Sequence, residues 1–195
     1  MLYALARKLV RGFFRLFFRL RVEGVEHIPE EGSAIICCNH ISNIDPPLVG
    51  CSIPRKVHFM AKEELFRIPL LKSLIRALGA FPVRRGAGDR QALKHSIQLL
   101  GEGKLLVIFP EGTRVKDGRE SKVHSGAAYI ALKANAPIVP AAIVGPIKMF
   151  RPLRVVFGPP VHPSLYADKK INTQTAAEMI EAVMAEIRRI RREHG

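Results

Sequence analysis

A chain of 195 residues with 48% hydrophobic and 25% charged side chains has the length of one packed domain and a composition that excludes a disordered polymer. Its 31 Lys and Arg against 17 Asp and Glu leave a net charge of +14, which predicts attraction to a polyanion, either nucleic acid or an anionic membrane. Cys37, Cys38 and Cys51 are odd in number and lack C-x-x-C spacing, which argues against a disulfide framework and for a reducing compartment. A zinc site built from them with His40 is disfavoured, because adjacent cysteines on a strand point to opposite faces.

Residues 1–22 carry Arg7, Lys8, Arg11, Arg15, Arg19 and Arg21 and no acid. Their uncharged runs fall far short of the roughly 18 apolar residues that a membrane span needs. Arginines at every fourth position from Arg7 to Arg19 line one helical stripe, while Leu9, Phe13, Leu16, Phe17 and Leu20 fill much of the rest. This is a basic amphipathic helix. It either lies in the headgroup plane, with each basic residue near anionic lipid worth about 1 kcal/mol, or packs on its own domain or a dimer partner. Amphipathicity alone does not separate the two. No small-residue cleavage site follows, as a secretory signal would require. The reading divides the chain into an interfacial helix, 1–22, and a single domain, 23–195.

From residue 33 onward short β-rich runs alternate with helical patterns. Strands are expected at 33–38, 57–61, 81–83, 105–109, 137–145 and 154–158, and helices at 68–78, 89–100 and 124–134. The rhythm and the continuous apolar runs predict an α/β fold with a mixed, largely parallel sheet flanked by helices. Ile180, Val183, Met184, Ile187 and Ile190 mark a terminal helix that Thr175 can cap, with Arg188 to Arg192 at the negative end of its dipole.

Two strand exits carry chemistry. In AIICCNHISNIDPP an apolar strand runs into His40, and Asp45 follows five residues later before a proline pair. In α/β sheets ligands bind outside the carboxyl ends of strands, and a carboxylate beside an imidazole fixes its tautomer and stabilises the imidazolium. The same spacing also suits a bland turn in which Asp45 caps the next helix. In LLVIFPEGTR a second buried strand ends in Pro110, Glu111, Gly112, Thr113 and Arg114, where a permissive glycine, a hydroxyl and a guanidinium suit an anion, or form a tight turn with a surface arginine. Gly79 to Arg85 adds a third exit with arginines. A base at one exit and an anion clamp at another suit a phosphorylated alcohol.

Together these blocks resemble the glycerophospholipid acyltransferase family, specifically its 1-acyl-sn-glycerol-3-phosphate acyltransferases. NHISNIDP matches the H-x4-D block, GAFPVRR the G-x-F-P-V-x-R block, FPEGTR the block of that name, and Val139 to Ile143 the V-P-x-x-I block, with MAKEEL at 60–65 matching a further segment. Arg84 stands where many members carry Asp. The resemblance implies His40 as general base, Asp45 as its orienting partner, and Arg85, Glu111, Gly112, Thr113 and Arg114 as the glycerol-phosphate site, joined by Lys62. It implies an apolar acyl groove to which the Pro140 block contributes. It also implies acyl-CoA or acyl carrier protein as donor, lysophosphatidic acid as acceptor, and no metal or cofactor. Location at the cytoplasmic face of the membrane, on anionic lipid, follows from that activity and from the N-terminal helix.

Other readings remain at this level. The acceptor could be another lysolipid or glycerol 3-phosphate, since an arginine set does not measure headgroup size. A basic nucleic-acid-binding module would also use +14, but no zinc-finger spacing, RNA-recognition aromatics or helix-turn-helix signal is found. An inactive membrane adaptor would have no need of His40 and Asp45. The remaining histidines, His124 among them, receive no role.

Overall fold

The computed structural model describes residues 2–84, 88–113 and 123–195. The chain opens with α1 (Leu2–Phe18) and then β1 (Arg21–Glu23). The helix ends short of residue 22 because Arg19 takes a left-handed backbone with φ 45°, after which Leu20 turns inward and the chain extends. There follow β2 (Ala34–Cys38), α2 (Asp45–Ser52), β3 (Val57–Lys62), α3 (Pro69–Ala77), β4 (Ala80–Val83), α4 (Arg90–Gly101) and β5 (Leu105–Ile108). The last third holds α5 (Gly126–Ala134), β6 (Ile138–Val144), β7 (Arg154–Phe157) and α6 (Thr173–His194).

The strands form one sheet in the order β1-β7-β6-β2-β5-β3-β4. Every pairing is parallel except β6 with β7, so the mixed, largely parallel sheet flanked by helices is the fold that forms. At its centre every residue of β2 is buried, with Cys37 in register with Ile108 on one side and Pro140 on the other. Alternation along the strand feeds two cores. Ile35, Cys37, Leu106 and Ile108 pack under α4, α5 and α6, while Ile36, Cys38, Leu105 and Val107 pack under α1 and α2. Cys37 and Cys38 therefore face opposite layers. Burial raises both thiols well above their usual range, which disfavours thiolate chemistry beside the site.

Helix α1 is part of this architecture. Phe14 and Phe18 are buried in the second core, Arg7 donates from Nη1 to the carbonyl of Ile53 at 2.9 Å, and Arg11 is half-buried. The expected arginine stripe is thus split: Arg7 and Arg11 turn toward the body, while Arg15 and Arg19 face solvent. A boundary at 22/23 cuts through β1, a strand of the common sheet. At the far end, Asn172 rather than Thr175 caps α6, accepting the Thr175 N–H at 2.9 Å. Thr175 instead donates its hydroxyl to the Lys170 carbonyl at 2.8 Å. Among the described residues no helix is long and apolar enough to cross a membrane.

Candidate active site

The exit of β2 is clamped before the chemistry begins. Asn39, fully buried, accepts the N–H of Ile143 at 2.8 Å and donates to the carbonyl of the same residue at 3.2 Å, pinning the strand end to β6. The next residue, His40, is therefore presented from a fixed backbone at the carboxyl edge of the sheet.

His40 Nδ1 lies 2.8 Å from Asp45 Oδ2. The same oxygen accepts the backbone N–H groups of Ile41 at 2.6 Å and Ser42 at 2.7 Å. Asp45 is the first residue of α2, yet its carboxylate turns back into the loop rather than onto the first-turn amides, so it does not act as a helix cap. One buried carboxylate both folds the loop between β2 and α2 and orients the ring. With Nδ1 engaged, Nε2 is the nitrogen that remains to accept a proton. The ring stacks on Phe109, centroids 4.4 Å apart, which fixes its second degree of freedom.

The exit of β5 meets this loop. Glu111 Oε2 accepts the backbone N–H of His40 at 2.8 Å. Burial raises the Glu111 carboxyl above its ordinary range, opposed by that hydrogen bond and by the imidazole nearby. A carboxylate repels phosphate, and this geometry instead places Glu111 on the main chain of His40. Gly112 adopts φ 64°, and a Cβ there would sit 3.2 Å from the His124 ring, so a side chain is disfavoured on both counts.

His40, Phe109, Gly112 and His124 open on a cavity of about 980 Å³. Its walls are mainly apolar, with Val10 from α1, Pro47 and Cys51 from α2, Phe59 from β3, Leu65 after it and Tyr129 from α5. His40, Lys62, Thr113 and His124 supply polar points. Lys62, at the end of β3, is 3.0 Å from Glu64 Oε1, a half-exposed pair that a ligand can displace. His40, Asp45, Glu111, Gly112, Thr113 and Lys62 thus converge from three strand exits. Arg85 and Arg114 lie outside the described residues. Pro140 lies inside β6, buried, with its carbonyl accepting the Gly158 N–H at 2.8 Å, and is not among the residues that wall the cavity. Sequence reasoning passed over Asn39, Phe109 and His124. The first two flank motif residues and could have been sought there, whereas nothing local marks His124, which joins the cavity only because its N–H returns to the Pro110 carbonyl at 2.9 Å.

A mixed α/β sheet with a carboxylate-bound imidazole at a strand exit, facing a large apolar cavity, has the parts of an acid-base enzyme site open to an apolar ligand. The family model described as Acyltransferase matches residues 19–144. The chain is 33% identical over 177 residues to the 1-acyl-sn-glycerol-3-phosphate acyltransferase of Bacillus subtilis, a match covering 88% of this chain and 87% of that one. It is 30% identical over 161 residues to the chloroplastic 1-acyl-sn-glycerol-3-phosphate acyltransferase of Arabidopsis thaliana, covering 76% of this chain and 45% of the plant protein. The crystal structure of the 1-acyl-sn-glycerophosphate acyltransferase PlsC from Thermotoga maritima is similar with a TM-score of 0.75 at 29% identity, covering 96% of this chain and 79% of that one. The chain belongs to the acyltransferase family, among its 1-acyl-sn-glycerol-3-phosphate acyltransferases.

Proposed function

We propose that this chain transfers a fatty acyl group from an acyl thioester, carried on coenzyme A or acyl carrier protein, to the sn-2 hydroxyl of 1-acyl-sn-glycerol 3-phosphate, yielding phosphatidic acid for phospholipid synthesis. The observation that carries the reading is the 2.8 Å contact between His40 Nδ1 and Asp45 Oδ2 at the wall of an apolar cavity. Neutral His40 takes the hydroxyl proton at Nε2 as the oxygen attacks the thioester carbonyl, and Asp45 stabilises the imidazolium. That attack forms the C–O bond and gives a tetrahedral intermediate; its collapse breaks the C–S bond, and the proton passes from the imidazolium to the departing thiolate. The thioester supplies the driving force, and the reaction calls for neither metal nor cofactor.

The phosphomonoester is held by Lys62 and Thr113, with the guanidinium groups of Arg85 and Arg114 in the roles the family motif gives them. Acceptor and product are both lipids, which supports a peripheral site of action on the cytoplasmic face. The outward stripe of α1, where Leu2, Leu5, Leu9, Phe13 and Leu16 are each half or more exposed, then rests in the headgroup boundary. Purified protein given lysophosphatidic acid in mixed micelles and either donor is expected to form phosphatidic acid, with His40→Ala losing at least ~10²-fold in rate. Inactivity with both donors would overturn the acceptor assignment and direct the assay to other lysolipids.

A further inference from the structure

The β6–β7 loop returns to the end of α1. Phe150 donates its N–H to the Phe17 carbonyl, and Leu153 donates to Phe18 at 3.1 Å, so the loop is tied by main chain to the last turn of the helix. Phe150 holds φ 62°, a left-handed conformation costly for an aromatic residue. What that conformation achieves is display: Met149 and Phe150 are 55% and 57% exposed at the loop tip. Their rings and stems extend an existing surface. Phe13 and Phe17 lie 5.0 Å apart and Phe17 and Phe150 6.2 Å apart, so the outward apolar stripe of α1 continues across Phe17 onto the loop. Lys148 and Arg151 flank the tip, both exposed, and residues 145–154 contain no acid.

We propose that the β6–β7 loop is a second membrane-inserting element, with Met149 and Phe150 entering the headgroup and acyl boundary of an anionic bilayer beside α1. The proposal rests on the membrane reading of α1 given above. Charge selects the occupant. Arg15, Arg19, Lys148 and Arg151, all exposed, adjoin the strip residues in the chain and carry one sign, which suits anionic headgroups, whereas a two-fold contact with a second copy would set like charges against each other. The loop also supplies what one helix lacks. A single helix lying in the interface leaves the domain free to roll about its axis, and a second anchor off that axis fixes which way the cavity, walled in part by Val10 of α1, faces the bilayer.

The chain has no tryptophan, so one substitution makes a clean reporter. Phe150→Trp and, separately, Leu9→Trp in the full chain are mixed with vesicles of phosphatidylcholine and phosphatidylglycerol bearing brominated acyl chains. Both are expected to shift to the blue and be quenched, and Phe150→Asp, checked for a native circular dichroism spectrum, to weaken partition by roughly tenfold or more. Quenching of Leu9→Trp without Phe150→Trp overturns the loop and leaves the membrane reading of α1 standing. Quenching of neither overturns both. A concentration-dependent blue shift of Phe150→Trp without vesicles would make the strip a contact between copies and also overturn the proposal.

Discussion

The backbone N–H of His40 and the side chain of Glu111 meet at 2.8 Å across 71 residues of chain. His40 is therefore held from two sides: Asp45 contacts its ring and Glu111 its main chain. Glu111→Gln keeps an acceptor and is expected to retain most activity, whereas Glu111→Ala strands a buried donor worth about 1–3 kcal/mol and lets the loop drift, lowering kcat roughly tenfold with KM little changed. A KM effect as large as the kcat effect would instead place Glu111 on the acceptor.

The same residue has a pH signature. Its folded carboxyl is raised above the unfolded value, so its contribution is favourable at low pH and is lost as pH rises through the raised folded value. Relative to wild type, Glu111→Gln is expected to melt higher at pH 7 than at pH 4, and thermal melts of both proteins across that range check the sign.

In the proposed reaction Asp45 stabilises the imidazolium and fixes its tautomer, and Asp45→Asn removes that charge. The expected loss in kcat is about 10³-fold or more, with acceptor KM within a few-fold of wild type. Steady-state kinetics on folded protein decide it. An unchanged kcat would reduce Asp45 to a loop fastener for Ile41 and Ser42.

Asn39 carries structure rather than chemistry. Removing its side chain leaves the N–H and C=O of Ile143 unpaired in a fully buried setting, so Asn39→Ala is expected to cost about 3 kcal/mol in urea unfolding. Activity per folded molecule should fall too, because the strand end that presents His40 is no longer pinned.

Lys62 is exposed enough to swing from Glu64 to a ligand phosphate. Lys62→Ala is expected to raise KM for the lysolipid roughly tenfold at nearly unchanged kcat, with a smaller effect in high salt. A loss confined to kcat would argue that Lys62 acts on the transition state instead.

Much of this was legible in local pattern. Buried runs such as AIICC and IVPAAIV announce central strands, and the five-residue step from His40 to Asp45 lets both side chains reach one another within a single loop. Boundaries were less legible. Arg19 continues the helical spacing of the arginines, and only its left-handed backbone ends α1, while β1 is too short to signal itself without β7 beside it. The Asn172 cap lies one turn ahead of the threonine that the pattern suggested.

The sequence by itself determined the fold class, most of the elements and the meeting of His40 with Asp45, because periodicity and short loops act over a few residues. Only the tertiary structure decided what those elements meet. That Arg7 serves the end of α2, that β7 runs antiparallel to β6, that Glu111 holds the His40 main chain, that His124 reaches the cavity and that the β6–β7 loop ties to the end of α1 are all facts of distant segments. Such contacts depend on the closure of the whole sheet, and burial in the finished core sets which of several locally acceptable partners each side chain receives.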